Sequence, residues 1–509
     1  MKPIFRVWYR ACKSRIERRL DKTRDTATAR PILSAHNIDY DVSHRDRAIV
    51  HGGIGAIHTL AHQLGLPQAI NERLHLLKTH VPYHESDHVL NITYNALCHG
   101  TCLQDIDLRR NDEAFLDALG ARRIPDPTTA GDFCRRFTRA HIDILQDAID
   151  GARLNVWTQQ PKSFFDRATI DMDGTLVPTT GACKAGMDIA YDGTWGYHPL
   201  ILSLAETGEV LRLINRSGNR PSHEEAAGQV DRVIERCLQA GFRRIVLRGD
   251  TDFSQTQHLD RWHAVPGVRF VFGYDAKLKL KDIAEGLPDP AWKPLRRPAR
   301  YQVQTQPRTR PDNVKDRIVR ARGFDILRLQ SEEVAEFDYQ PTACANTYRM
   351  VVIRKHISKE KGDQVLFPEI RYFFYLTNDR DLSTEEVVFE ANDRCNQENL
   401  LAQLKGGVSA LTAPVNTLES NGAWMVMTAL AWTLKAWWAL MLPETPGRWQ
   451  ERHRAEKQRV LRMEFQTFVN AFVAIPCQVI RQGRRVVLRL LGWNPHLMTF
   501  FRLVSRLRR

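Results

Sequence analysis

Cysteine is scarce in this chain, with nine among 509 residues, at positions 12, 98, 102, 134, 183, 237, 344, 395 and 477. Only Cys98 and Cys102 are close, and without a second pair they complete no zinc site. An odd, sparse set in so long a chain excludes a disulfide scaffold and reads as the reduced thiols of a cytosolic protein. Long hydrophobic runs are missing too. The N-terminus, MKPIFRVWYRACKSRIERRL, lacks the apolar core of a signal peptide. The most apolar stretch, Trp424 to Leu442, is broken by Lys435 and carries four Trp, which suits a buried helix better than a membrane span. There is no internal repeat and no low-complexity tract. Acidic residues are in deficit, at 59 against 73 Lys and Arg, which gives a net charge of +14. Such a field favours a polyanionic partner, nucleic acid before an anionic membrane surface.

What is present is ordinary globular composition, 43% hydrophobic and 26% charged, which rules out wholesale disorder and a fibrous rod. The length suggests roughly three domains. The first 24 residues hold nine Lys or Arg and two acidic residues, and read either as a solvated arm or as a DNA-binding arm over 1–45. Residues 46–160 read as short helices (Ile54 to Leu64, Ser86 to Cys98, Ala130 to Leu154) beside the basic pairs Arg109-Arg110, Arg122-Arg123 and Arg135-Arg136. That combination suits a helix-turn-helix-like DNA-binding module.

The texture changes near Phe164. ATIDMDGTLVPT has strand character, and DIAYDGTWGYHPLILSLAETGEVLRLIN reads as two or three antiparallel strands. A helix from His223 to Ala240 and the buried strands RRIVLRGD and VRFVFGYD follow. Three antiparallel strands, a helix and a strand, then more α/β, is the order of a ribonuclease H-like core, with its first part over 161–275. Residues 276–378 interrupt it as a β-rich insertion. The stretch from Trp292 to Arg320 has nine Lys or Arg against two Asp. A second part with further helices is expected over 379–445, and a basic helical region over 446–509, whose tail from 481 has eight Arg and no acidic residue.

Three carboxylates stand out. Asp173 lies in DMDGT at a strand end, and Asp250 ends the apolar strand IVLRGD. Glu398 sits in the helical segment RCNQENLLAQLK. Spacings of four and seven residues place Arg394, Glu398 and Lys405 on one helical face. Carboxylates at neighbouring strand ends, with one from a packed helix, can converge on hard divalent cations. Two such ions activate the attacking oxygen and stabilise the leaving oxygen in phosphodiester cleavage, with the Arg and Lys on the phosphates. Singly, an Asp at a strand end is most often a cap, and Arg and Glu four apart usually form a solvated pair. The case rests on the combination and on chain order.

DMDGT, GYHPLILSLAETGEVL, NRSGN, VLRGDTDF and RCNQENLLAQLK together resemble insertion-sequence transposases of the DDE class. The subset is the one with a Tyr-Arg-Glu-Lys signature, and within it the "thirteen-eighty" group. The resemblance covers about 165 to 275 and 370 to 440 well and the amino-terminal third more loosely. It implies Mg²⁺-dependent cut-and-paste transposition on two ions, with Mn²⁺ able to substitute. Asp173, Asp250 and Glu398 would be the metal-binding triad, and Arg394 and Lys405 the basic members. The partners implied are double-stranded DNA, as terminal inverted repeats and target, and a second copy of the chain in the synaptic complex. The freed 3′-OH would attack the opposite strand, giving a hairpin, or the target directly. The signature Tyr falls on Ala391, with Phe389 and Asn392 nearby. The β-insertion is expected to grip the transposon end through Arg296, Arg297 and Arg300.

Two rivals remain at this point. DMDGTLV also matches the nucleophile motif of haloacid dehalogenase-like phosphatases, in which Asp171 would attack phosphorus and Asp173 act as acid. The antiparallel strands that follow at once, the lack of separate Thr/Ser and Lys motifs and the unexplained Arg-Glu-Lys helix count against it. The other rival is a transposase-derived DNA-binding protein without catalysis. His198 and His223 read as metal ligands or as polar contacts near turns. The Trp residues at 424, 432, 437 and 438 read as core or dimer interface. Trp292, Tyr301, Tyr372 and Phe373 pack in strands or stack on a flipped base.

Overall fold

The computed structural model describes residues 3–24, 38–40, 46–80, 82–297, 313–361, 364–482 and 485–508. At its centre is a nine-stranded mixed sheet. Its strands are β1 (Ala168–Gly174), β2 (Leu200–Leu204), β3 (Glu209–Ile214), β4 (Ile245–Gly249), β5 (Val268–Tyr274), β6 (Lys293–Pro294), β7 (Asp325–Tyr339), β8 (Tyr348–Lys361) and β9 (Gln364–Thr377). The spatial order is β6-β7-β8-β9-β5-β4-β1-β2-β3. β1 runs parallel to β4, and β4 to β5, while β2 and β3 are antiparallel neighbours beyond β1. The central strands are buried on both faces, which is why ATIDM and IVLRG read as near-continuous apolar runs rather than alternating ones.

The helix expected from His223 is α1 (Ala226–Ala240), three residues shorter. Its first three positions form a turn in which Glu225 takes φ 62°, a left-handed conformation that no helix interior accepts. The span Ala130 to Leu154 is two helices, Pro127–Arg135 and Arg139–Trp157. Thr138 divides them, its hydroxyl accepting from the His141 N–H at 3.4 Å. Such a cap restarts a helix that the apolar pattern alone runs together.

The first helices beyond the insertion are α2 (Thr384–Asn392), α3 (Cys395–Ala402) and α4 (Leu418–Leu440). Every residue of α4 from Ser420 onward is buried, as an all-round apolar helix must be. Trp424, Trp432, Trp437 and Trp438 are therefore core. Lys435 survives there because its Nζ donates to the Leu461 carbonyl at 2.8 Å and sits 3.8 Å above the Trp432 ring. The fully buried Glu209 carboxylate locks three elements together. It accepts from Trp437 Nε1 at 2.8 Å, Trp157 Nε1 at 3.1 Å and Arg153 Nε at 3.2 Å, and so joins α4, the helix Arg139–Trp157 and β3.

Two regions differ from expectation. The N-terminal segment is a helix, Pro3–Arg24. It docks through Phe5 on Phe501, with ring centroids 5.3 Å apart, and Tyr9 on Trp493 at 5.9 Å, and it buries Cys12. Phe5, Trp8, Tyr9 and Cys12 recur at spacings of three and four, a short apolar stripe that the surrounding Lys and Arg obscure. The C-terminal region is not purely helical. Strands Cys477–Gln482 and Arg485–Leu490 form a ribbon, and Ala48–Ile49 pairs with the first of them. The chain's two ends thereby join one small sheet.

The insertion is a long antiparallel meander, β7-β8-β9, sewn onto the edge of β5. Its near turn is pinned to the helix Thr256–Ala264 by Asp260, which accepts from the Ala345 N–H at 2.5 Å, Asn346 Nδ2 at 3.0 Å and Tyr348 Oη at 2.5 Å. The cysteines at 12, 98, 102, 134, 183, 237, 344 and 477 are free thiols. No described helix is long and apolar enough to cross a membrane.

Candidate active site

Asp171 of β1 lies opposite Arg248 of β4 in a parallel pairing. Two residues further along, past the last β1–β4 pair, come Asp173, still paired with Ile201 of β2, and Asp250, just beyond the end of β4. Asp250 uses one oxygen as a cap, Oδ1 accepting from the Asp252 N–H at 3.0 Å. Its other oxygen faces Arg394, whose Nη2 lies 3.8 Å from Asp250 Oδ2 and 3.4 Å from Asp173 Oδ2. The strand-end cap and the metal-site reading of Asp250 are thus compatible, one oxygen to each.

Burial raises the Asp173 carboxyl to about 6, with Asp250 and Glu398 adding to the rise and Arg394 opposing it. Asp250 is raised by burial and held back by Arg394. Burial lowers the Lys405 ammonium, and Asp173 opposes that shift. All five expected residues, Asp173, Asp250, Glu398, Arg394 and Lys405, therefore share one electrostatic field. Arg394 stands at the junction of α2 and α3, and Lys405 lies in a π-helical turn after α3. The wider turn changes the helical phase that a plain seven-residue spacing assumes.

Several residues that position this group carry no obvious sequence signal. Gln397 is buried beside the exposed Glu398. Its Oε1 accepts from Ser203 Oγ, and its Nε2 donates to the Ile201 carbonyl at 3.3 Å. Ile201 is the register partner of Asp173, so Gln397 ties α3 to the strand next to the candidate site. Below the site, Arg248 Nη1 donates to the Glu390 carbonyl and to its Oε1, both at 3.1 Å, fixing α2. Arg216 holds the following turn through the carbonyls of His198 (3.0 Å), Pro221 (3.1 Å), Ser222 (2.9 Å) and Glu224 (2.7 Å). Of these only Arg248 was readable in principle, because a charge inside the apolar run IVLRG must find a partner.

His198 Nδ1 lies 2.8 Å from the Arg220 carbonyl. A carbonyl only accepts, so Nδ1 carries the proton and the contact is the polar one expected near a turn. His198 Nε2 abuts Gly174, where a Cβ would lie 2.6 Å from it; the Gly of DMDGT makes room for this ring. His223 lies in the turn before α1. Tyr375 of β9 lies in the field of both Arg297 and Arg394. It packs against the same small hydrophobic cluster as Phe389 and Ala391.

The insertion residues part company. Arg296 is exposed. Arg297 is engaged in a two-pronged pair with Glu332, Nε to Oε2 at 2.5 Å and Nη2 to Oε1 at 2.9 Å. Arg300 and Tyr301 lie outside the described residues. Trp292 is buried under Arg354, 4.2 Å above its ring, and Phe373 carries Lys355 at 4.7 Å.

Among the described residues, no three His, Cys, Asp or Glu side chains are gathered tightly enough to hold a metal ion. The positive charge between Asp173 and Asp250 is the Arg394 guanidinium. The chemistry of the set still fits a hard divalent cation: two carboxylates at adjacent strand ends, a third close enough to raise Asp173, and oxygen donors only.

Residues 42–509 match the family model described as transposase DDE domain group 1. The chain belongs to the DDE transposase family. As a family, these transposases use divalent metals for nuclease and transesterification chemistry. No curated protein matches. Among solved structures, a cryo-EM structure of the piggyBac transposase synaptic complex with hairpin DNA is similar at 9% identity and a TM-score of 0.36, over 83% of this chain and 81% of that one.

The phosphatase alternative fails for this transposase on geometry as well as family. Asp171 is buried, and both its oxygens are taken by Arg248, Oδ1 at 2.7 Å from Nε and Oδ2 at 2.8 Å from Nη2. A carboxylate so held is a structural counter-ion, not a nucleophile facing a substrate.

Proposed function

We propose that this transposase is encoded by an insertion sequence of the Tyr-Arg-Glu-Lys type in the "thirteen-eighty" group. In this reading it binds the element's terminal inverted repeats and cuts and rejoins DNA on a ribonuclease H-like core. The strand order β3-β2-β1-β4-β5, with α1 between β3 and β4, supports that core. The observation that carries the reading is the meeting of Asp173 and Asp250 at adjacent strand ends under one guanidinium, Arg394.

Asp173, Asp250 and Glu398 would hold Mg²⁺, or Mn²⁺ in its place. When bound, two divalent ions lower the cost of forming the attacking oxygen and of releasing the leaving one. The chain's own groups do the rest. Arg394 keeps the two Asp carboxylates together, although each ionises reluctantly in its buried setting. With a phosphodiester present, Arg394 and Lys405 supply the positive charge that holds its non-bridging oxygens. Gln397 fixes the height of Glu398 above β2. Synapsis of two element ends brings two copies of the chain together.

The test is cleavage of labelled duplexes carrying the ends of the chain's own element. Asp173→Ala, Asp250→Ala and Glu398→Ala are each expected to abolish cutting while leaving DNA binding nearly intact, because basic residues hold the phosphates. Wild-type cutting by Glu398→Ala would remove Glu398 from the triad.

A further inference from the structure

The C-terminal ribbon has two unlike faces. Along Cys477–Gln482 and Arg485–Leu490 the register pairs Gln478 with Arg489, Ile480 with Val487, and Gln482 with Arg485. Alternation puts these six side chains on one face. The other face carries Val479, Leu488 and Leu490, which pack on the body; a Cβ on Gly55 would lie 3.3 Å from Leu488. On the outer face Gln482, Arg485, Val487 and Arg489 are exposed. On the inner side Val486 is 47% exposed, and its register partner Arg481 is paired with Asp117 of the body, so the inner side is tied down while the outer face stays open. Among the described residues neither Arg485 nor Arg489 is engaged with a carboxylate, and the sequence from 481 onward has eight Arg and no acidic residue.

We propose that this outer face is a sequence reader that lies in the major groove of duplex DNA. The inference rests on the transposase reading above and adds to it which element recognises the ends. The width fits, because the major groove admits a two-stranded antiparallel ribbon. The side chains fit as well. Arg presents two parallel donors to guanine O6 and N7, Gln pairs with adenine N6 and N7, and an aliphatic group meets the thymine methyl. Two Arg–Gln cross-strand pairs flanking Val487 offer that set within one ribbon. The groove's negative field suits a surface with arginines and no carboxylate of its own segment. Gln478 is held in place by its Nε2, 3.4 Å from Asp46 Oδ1, which leaves its carbonyl oxygen to accept from a base.

The test uses the full-length protein and a library of randomised duplexes. Wild type is expected to enrich a motif containing guanine. Methylation of guanine N7 within the motif is expected to block binding, which reports major-groove contact. The double variant Arg485→Lys, Arg489→Lys keeps both charges and loses the two-pronged donors. It is expected to lower the ratio of affinities for selected over scrambled duplex at least tenfold, and to lose the methylation interference. A wild-type ratio in the double variant would mean that the face contributes charge only, and would overturn the proposal. So would a wild type whose binding ignores N7 methylation. A wild type that enriches no motif also overturns the reader role, yet leaves strand cleavage by the carboxylate triad to stand on its own assay.

Discussion

Asp173 carries an electrostatic burden that can be measured without substrate. Burial, with Asp250 and Glu398 adding, raises its carboxyl to about 6, whereas a free Asp titrates near about 3.9. Between those two pH values the folded chain keeps a proton that the unfolded chain has released. Stability from this group is therefore present at low pH and lost as pH rises through about 6. At pH 7.5 the ionised carboxylate costs the fold roughly 1–3 kcal/mol. Asp173→Asn is expected to raise the melting temperature at pH 7.5 in the absence of divalent ions, with the gain fading by pH 4. An equal gain at both pH values would show that ionisation is not the source. Asp173 and Asp250 stood out in the sequence because each ends an apolar run, where a carboxylate needs partners of its own. Gln397 was not, because a Gln beside a Glu on a mostly polar helix looks like any solvated residue. Arg297 also reads like a free basic side chain, and its pairing with Glu332, 35 residues away, cannot be inferred from local pattern.

At the level of elements, the site depends on how α3 is seated. Gln397 bridges it to β2 through Ser203 and Ile201. Gln397→Leu removes both hydrogen bonds while keeping the bulk. It is expected to slow strand cleavage roughly ten- to a hundredfold, the scale on which small misplacements of a reacting group act, while the affinity for DNA holds. Equal losses in binding and cutting, measured by gel shift and by single-turnover cleavage, would point to a folding defect instead. Strand patterns were well read from the sequence because the two-residue period and continuous buried runs are strong local signals. Helix boundaries were read less well. The cap at Thr138 splits a continuous apolar pattern, the left-handed Glu225 delays α1, and the π turn at Gln403–Gly407 shifts Lys405. Each is a backbone decision made by one residue, and composition averages it away.

Across the whole molecule, the surplus of 14 positive charges predicts binding to DNA that weakens steeply with salt, log affinity falling by about 0.9 per phosphate neutralised. Exposed Arg296 and paired Arg297 separate what charge and structure each contribute. Arg296→Ala is expected to flatten the salt slope by about one unit, and Arg297→Ala by less, because Glu332 already balances that guanidinium. A larger effect at Arg297, in slopes measured by fluorescence anisotropy, would assign the contact to the paired residue. The order of strands and helices along the central part of the chain was legible. The closure of the molecule was not: Ala48–Ile49 joins a ribbon more than 400 residues downstream, and the N-terminal helix docks on Trp493 and Phe501. Contacts of such separation leave no trace in a local pattern.

The central claim is that Asp173, Asp250 and Glu398 hold a divalent cation for strand cleavage, and a change of donor atom tests it most directly. Asp250→Cys replaces a hard oxygen with a softer sulfur, which Mn²⁺ tolerates better than Mg²⁺. Cleavage of the element's ends by Asp250→Cys is expected to be lost in Mg²⁺ and to return, at least in part, in Mn²⁺. Cutting by Asp250→Cys at the wild-type rate in Mg²⁺ would contradict the account.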